Sequence, residues 1–246
     1  MEEDFPIPRT QYKKLYLNAA DNSMSELQNK SESQIIYNSD KKKSSAVFSM
    51  KMSENTEITG YMKLRLWVEA PDNDDMDLFV NIEKRRPSGL PYRFSIGPGM
   101  DIAAKGYMRV SLRELDARRS TEENPRQSME QIQKLKKGEI VPIDILIWPM
   151  GLLFKKDDIL RVTVSAYKTQ KMWTGPFKLK MAKINLPKEG YTYMPDEKPE
   201  MYTIGGSEMF AGSNVETADM PHDVNKGRHV IHTGGKYDSF LYMPFV

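Results

Sequence analysis

The amino-acid sequence predicts an all-β protein, either a sandwich or a barrel. Several segments alternate apolar and polar residues with a period of two, which places the apolar side chains on one face of a half-buried strand. Turn-forming runs such as APDNDD, RPSGLP and KKGE separate these segments. Only one short segment has helical spacing. Many short strands with frequent turns and almost no helix are typical of sandwiches and barrels.

Three segments carry the clearest strand pattern, residues 61–70, 141–149 and 159–167. The side chains predicted to face the core are Met62, Leu64, Leu66, Val68 and Ala70 in the first, Val141, Ile143, Ile145 and Ile147 in the second, and Leu160, Val162, Val164 and Ala166 in the third. Weaker alternation predicts further strands in the runs KLYLN, AVFSMKM, DLFVNIEK, FKLKMAKINL and SFLYMPF.

Three other stretches depart from the strand pattern. Residues 18–45 are polar and serine-rich, and residues 187–228 are rich in Gly, Pro and Met without a period. Both are predicted to be long loops that lie over a β core. In residues 125–135, three apolar side chains stand three apart after a proline, which predicts one short surface helix.

Composition limits the classes of function. The 36 basic and 34 acidic side chains are spread along the chain and give a formal charge of +2, so they indicate no surface for nucleic acid. The absence of cysteine excludes disulfides, a thiolate nucleophile and cysteine-ligated zinc. The acidic N-terminal run lacks the apolar segment of a secretory signal, and no apolar run is long enough to span a bilayer. We therefore expect a cytoplasmic protein that binds neither nucleic acid nor a membrane.

All three histidines lie near the C-terminus, and the last is followed closely by two glycines: His222, His229, His232, Gly234 and Gly235. The run HVIHTGG is rich in β-branched residues and glycine, so we predict a strand that ends in a turn. On a strand, residues three apart point to opposite faces, and the second and third histidines then cannot share a metal ion. We expect structural histidines, with no metal and no cofactor.

An acidic run at residues 70–77 suggests a calcium loop, because it holds Asp72, Asp74, Asp75 and Asp77. The calcium loop of an EF-hand alternates its oxygen ligands and needs a glycine at its sharp turn. Here Met76 stands where the third ligand would be, and no glycine follows. We therefore favour a turn that leads into the next strand, although β-sandwich loops also bind calcium without a regular motif.

The sequence contains no recognisable hydrolase nucleophile. The run nearest to G-x-S-x-G is GGSEM at 205–209, where Met209 replaces the last glycine and no predicted strand precedes it. Glycine motifs for dinucleotides and for phosphates are also absent. We predict that this chain has no catalytic residue of its own.

Four ordered segments resemble one family, FPIPRTQYKKLYLN (5–18), DMDLFVNIEKRRPSG (75–89), residues 105–158 and RHVIHTGGKYDSFLYMPFV (228–246). They are similar to the C-terminal domain of CocE/NonD hydrolases, the relatives of bacterial cocaine esterase and X-Pro dipeptidyl-peptidase. The resemblance implies one jelly-roll β-sandwich, galactose-binding-domain-like, over residues 1–246. Its implied parts are a leading strand and loop (1–43), the main strands (44–186), a long irregular loop (187–228) and a closing strand (229–246).

The resemblance also implies a role. In such hydrolases an α/β-hydrolase domain supplies the Ser-Asp-His triad, and no position of this sequence matches those motifs. This chain would be the non-catalytic domain of a serine hydrolase of the dipeptidyl-peptidase or esterase class, supporting the hydrolase domain and its active-site entrance. One turn departs from the family, because Asp157 and Asp158 in FKKDD replace a glycine and a polar residue.

Contacts with the hydrolase domain are expected at the start of the chain, in the run IWPMGLLF and at the last histidine. The expected residues are Phe5, Ile7, Tyr12, Trp148, Met150 and His232. Part of this surface would also allow a homo-oligomer. The alternative is a free-standing carbohydrate-binding or protein-interaction module, which a cluster of exposed aromatic residues at one end of the sandwich would favour. Its candidates are Trp67, Trp173, Tyr191 and Tyr193.

Overall fold

The computed structural model confirms the predicted all-β sandwich. It describes residues 4–5, 7–41, 44–92, 94–96, 99–101, 103–166 and 225–246. Within these residues, thirteen strands and one 3-10 helix (Val110–Leu112) form the regular structure. The strands are β1 (Gln11–Asn18), β2 (Ser23–Ser25), β3 (Ser33–Asn38), β4 (Ser45–Lys51), β5 (Thr56–Glu69), β6 (Asp77–Arg85), β7 (Phe94–Ile96), β8 (Gly99–Asp101), β9 (Ala104–Arg109), β10 (Val141–Phe154), β11 (Ile159–Ser165), β12 (Arg228–Thr233) and β13 (Phe240–Phe245).

The strands pack as two layers. One layer contains β10, β5, β13 and β1, and β12 and β3 continue it beside the end of β5. The other layer contains β9, β6, β11 and β4. The short β2 connects the layers at one edge by pairing with both β1 and β4. At the other edge, Ile147 of β10 pairs with Gly106 of β9. No helix in the described part of the chain has the length and hydropathy needed to cross a bilayer.

The predicted core faces of three strands are confirmed. All thirteen side chains that the alternation assigned to the interior are buried, and those of β5 before Ala70 have no exposed area at all. β5 is covered along both edges, by β10 on one side and by β13 and then β12 on the other. Burying one large aliphatic side chain contributes about 1.5–3 kcal/mol to folding. This shared interior is therefore the main source of stability.

The prediction of one continuous loop over residues 18–45 is wrong. The segment contains β2 and β3, and β3 pairs along its length with β12. Ile35 packs against the core and Tyr37 is buried within it. The apolar run in β3 is too short and too lacking in alternation to be recognised locally. Its strand conformation depends on a partner at the other end of the sequence.

The predicted helix at 125–135 is also wrong. The backbone N–H groups of Ser128 and Gln133 donate to the carbonyls of Glu114 and Ser111, so they are not available for helical hydrogen bonds. Met129 has a positive φ of 58°, which a helix does not contain. The segment therefore runs extended along residues 110–116. The predicted strand at 177–186 lies outside the described residues, as does the loop at 187–228 apart from residues 225–228.

The FKKDD turn keeps a left-handed residue although it lacks the family's glycine. Asp157 has φ of 72°, a conformation that aspartate tolerates better than most side chains, and it forms an ion pair with Lys51 at 2.8 Å. Asp158 is buried, accepts a hydrogen bond from the backbone N–H of Lys155 at 2.8 Å, and lies 3.2 Å from Lys84 Nζ. These contacts fix the turn between β10 and β11.

The two glycines after His232 form the turn between β12 and β13. Gly234 has φ of 77° and Gly235 has φ of 54°, both in the left-handed region. A Cβ on Gly234 would lie 2.1 Å from the carbonyl oxygen of Ser31, which is main chain and cannot rotate away. The glycine is thus required by its backbone angle and by the close approach of a neighbouring loop.

We expect Gly234→Ala to lower the free energy of unfolding by about 2–3 kcal/mol, because it combines strained backbone with a main-chain clash. Chemical denaturation measures the change. Gly151→Ala is the matched control, since a Cβ there would meet only the Thr59 side chain at 3.6 Å. Equal stabilities for the two variants would contradict the described turn.

Candidate functional site

His229 is a buried histidine on β12 whose two ring nitrogens both have protein partners. Nδ1 lies 3.3 Å from the hydroxyl of Tyr37, and Nε2 lies 3.2 Å from the carbonyl oxygen of Asn225. The rings of His229 and Tyr37 meet edge to face with centroids 5.1 Å apart. Burial lowers the pKa of His229 from its usual 6.5 to about 4. This residue is a neutral structural histidine at physiological pH.

His232 lies on the opposite face of β12, as the odd spacing predicts. Its Nε2 is 3.0 Å from a carboxylate oxygen of Glu69, and its ring lies 5.0 Å from the ring of Tyr237. Only 7% of the residue is exposed. The described residues contain no group of three His, Asp or Glu side chains placed to hold a metal ion, and His222 lies outside them.

Each carboxylate of the acidic run at 70–77 has a basic partner in the protein. Arg228 donates to Asp72 from its backbone N–H and from two guanidinium nitrogens. Lys134 lies 3.6 Å from Asp74 and 3.3 Å from Asp75. The fourth carboxylate, Asp77, forms a buried bidentate pair with Arg109.

In that pair, Arg109 donates from Nε and Nη2 to the two carboxylate oxygens of Asp77, at 2.8 and 3.0 Å. The hydrogen bonds from Arg228 lower the pKa of Asp72 well below its usual range. The run therefore functions as a set of ion pairs that fix the loops at this end of the sandwich, which supports the turn interpretation over a calcium loop.

The expected contact residues divide into exposed and buried groups. Phe5 is 49% exposed and Trp148 is 41% exposed, whereas Ile7 and Met150 are buried. Tyr12 is half-buried and stacks on Tyr242, with ring centroids 4.9 Å apart. Their roles as contacts stay predictions, but only Phe5 and Trp148 present a large apolar surface to solvent.

Two further positions on the outer face were not singled out in the sequence, the half-buried Tyr61 and the exposed Leu153. Tyr61 lies on the outer face of β5, where the ring of Phe5 packs against it at a centroid distance of 5.2 Å. Leu153 is 53% exposed on β10. Alternation shows which face of the sheet a side chain occupies. It does not show which side chains of the outer face remain uncovered by the rest of the protein.

Trp67 is a poor stacking platform for a sugar in this structure. Its indole Nε1 donates to Asp238 at 2.8 Å, and its ring packs edge-on against Tyr237 at 5.6 Å. The other aromatic candidates, Trp173, Tyr191 and Tyr193, lie outside the described residues. No observation in the described part of the chain therefore favours the carbohydrate-binding alternative.

The geometry of a hydrolase nucleophile is also absent from the described residues. Within them, neither His229 nor His232 contacts a serine hydroxyl through its ring, because their partners are Tyr37, Asn225 and Glu69. The run GGSEM at 205–209 lies outside the described residues.

Comparisons with known proteins identify relatives. A family model described as the X-Pro dipeptidyl-peptidase C-terminal non-catalytic domain matches residues 1–242. Two crystal structures of a CocE/NonD family hydrolase from Staphylococcus aureus match with TM-scores of 0.77 and identities of 30% and 31%. Both alignments cover 100% of this chain and 38% of the hydrolase chain.

An aminopeptidase from the marine sediment archaeon Thaumarchaeota archaeon matches with a TM-score of 0.62 over 100% of this chain and 38% of its own. Its identity is 11%, so this likeness shows the fold alone. The search of curated proteins gave no match. The chain thus spans 38% of the length of the first structures that it matches.

We expect the stability of the protein to fall between pH 6.5 and pH 4 because of His229. Between these pH values His229 is protonated in the unfolded state but stays neutral in the folded state, because its pKa is lower there. The free energy of unfolding is therefore unreduced above pH 6.5 and falls as the pH decreases, by up to about 3 kcal/mol. Urea unfolding at several pH values measures this slope. His229→Gln cannot titrate and should show a shallower slope; identical slopes for both proteins would contradict the assignment.

Proposed function

This chain belongs to the family of X-Pro dipeptidyl-peptidase C-terminal non-catalytic domains, and we propose that it supports the catalytic domain of a CocE/NonD-type serine hydrolase. The catalytic domain would be an α/β-hydrolase domain of the same protein. The reaction would be hydrolysis of an ester or an X-Pro amide through an acyl-enzyme. The sandwich would hold the hydrolase domain in place and shape the entrance to its active site.

The position of Phe5 is the observation that carries this proposal. In a C-terminal domain the rest of the polypeptide precedes the sandwich, so the chain reaches it near Phe5. The ring of Phe5 packs on Tyr61 at the outer face of β5, and the exposed Trp148 belongs to the neighbouring strand. Exposed aromatic residues beside the entering chain are typical of a contact with another domain.

We expect the chain alone to hydrolyse neither a chromogenic short-chain ester nor Gly-Pro-nitroanilide, because acyl transfer needs a nucleophile, a nearby base and oxyanion donors. A fluorophosphonate probe should leave it unlabelled. The Staphylococcus aureus hydrolase, treated in parallel, is the positive control. Stoichiometric labelling of one serine, with turnover lost on its replacement by alanine, would contradict the non-catalytic assignment.

The supporting role is tested by a chimera in which this chain replaces the matched domain of the Staphylococcus aureus hydrolase. We expect the chimera to unfold at a higher temperature than the hydrolase lacking its C-terminal domain, and to retain ester hydrolysis. Calorimetry and the ester assay measure both. If the truncated hydrolase were as stable and as active as the chimera, the supporting role would be wrong.

A further inference from the structure

We propose that this domain docks through a patch on the outer face of β5 and β10, and that the catalytic domain that precedes it is the occupant. The patch consists of Phe5, Tyr61, Trp148 and Leu153, and is called the β5–β10 patch. This inference rests on the proposed function and identifies the surface through which that function is exerted.

A β-bulge creates the centre of the patch. Ile147 pairs with Met62 and Met150 pairs with Gly60, so Trp148 and Pro149 together stand opposite the single residue Tyr61. A bulge of this kind redirects side chains at a strand. The inward alternation resumes at Met150, which is buried, while Trp148 and Pro149 are both turned to solvent.

The patch extends along β10 away from the bulge. Leu153 pairs with Glu57, and both residues belong to the outer face because the intervening pair of Leu152 and Ile58 packs into the core. Lys84 Nζ donates to the carbonyl oxygen of Leu153 at 2.6 Å, which fixes the end of the strand. Leu153 is thus held in an exposed position by an ordered backbone.

The sheet beside the patch is closely packed. Gly60 adjoins Tyr61 in β5, and a Cβ there would come within 3.1 Å of Pro244 on β13. The hydroxyl of Tyr12 would lie 3.4 Å from the same Cβ. A surface that is already ordered loses little conformational entropy on binding, which favours its use in docking.

Chain continuity identifies the occupant. Phe5 is part of the patch and lies near the start of the residues matched to a C-terminal domain, so in a full-length hydrolase the preceding domain would be tethered beside this surface. Tethering makes the contact intramolecular, and a modest apolar area is then sufficient. In the described part of the chain, the other exposed large apolar side chains lie outside β5 and β10: Leu27, Ile36, Leu90, Met129 and Ile132.

The test uses the chimera and the isolated chain in parallel. The patch variants are Trp148→Ser and Phe5→Ser. Phe5 lies outside the strands, so Phe5→Ser changes no strand residue. Ile36→Ser is the matched control, because Ile36 is 50% exposed on β3, away from β10. We expect all three variants of the isolated chain to unfold within about 2 °C of the wild type, since exposed positions contribute little to stability.

In the chimera, both patch variants should lower the unfolding temperature of the sandwich by about 4 °C or more and separate its transition from that of the catalytic part. Ile36→Ser should leave the single transition unchanged. If the sandwich and the catalytic part of the wild-type chimera unfold in one transition and those of the patch variants still do so, the proposed docking surface is wrong. It is also wrong if Ile36→Ser separates the single transition into two. A wild-type chimera with two independent transitions would overturn the proposed function itself. A further outcome is that the isolated chain forms dimers that Trp148→Ser dissociates, while the two parts of the chimera unfold independently. The patch would then bind a second copy of this chain, and the proposal would be wrong.

Discussion

The pairing of β5 with three other strands is the constraint on which the rest of the structure depends. β10 covers one edge of β5, and β13 and β12 share the other. Because side chains alternate along a strand, a slip of one residue would move the whole apolar set to the outer face. Leu64 pairs with Leu241 from the end of the chain, so the central layer is complete only when the C-terminal strand has been inserted between β1 and β5. Folding therefore couples the middle of the sequence to its last residues.

The same register gives the outer face of β5 its chemistry. Arg65 donates to both carboxylate oxygens of Asp144 on β10, at 3.0 and 2.9 Å, and Lys63 lies 3.8 Å from the same carboxylate. Gln127, from the segment wrongly predicted to be a helix, donates its side-chain amide to the carbonyl oxygen of Asp144 at 3.0 Å. One part of the outer face is thus closed by paired charges and by the protein's own loop. Beside it, Tyr61 is half-buried under Phe5, and Trp148 and Leu153 leave apolar side chains exposed on β10.

Sequence reasoning was reliable where the determining interaction is local. Alternation identified the inward faces of β5, β10 and β11, and the spacing of His229 and His232 placed them on opposite faces. It failed where the determining partner is remote. β3 becomes a strand by pairing with β12, and the backbone of residues 128–133 is held by carbonyls of Ser111 and Glu114. The sequence likewise placed Trp148 and Met150 in one apolar run. It could not show that a β-bulge turns Trp148 to solvent while Met150 is buried in the sheet.

Hydroxyl-radical footprinting of the isolated chain and of the chain joined to a hydrolase domain tests the central claim most directly, since oxidation reports the exposure of individual side chains. We predict that Phe5 and Trp148 become several-fold less reactive on joining, because docking covers the exposed part of each ring. Met129, which is 57% exposed in the segment between β9 and β10, should keep its reactivity. Unchanged oxidation of Phe5 and Trp148 together with protection of Met129 would contradict the account.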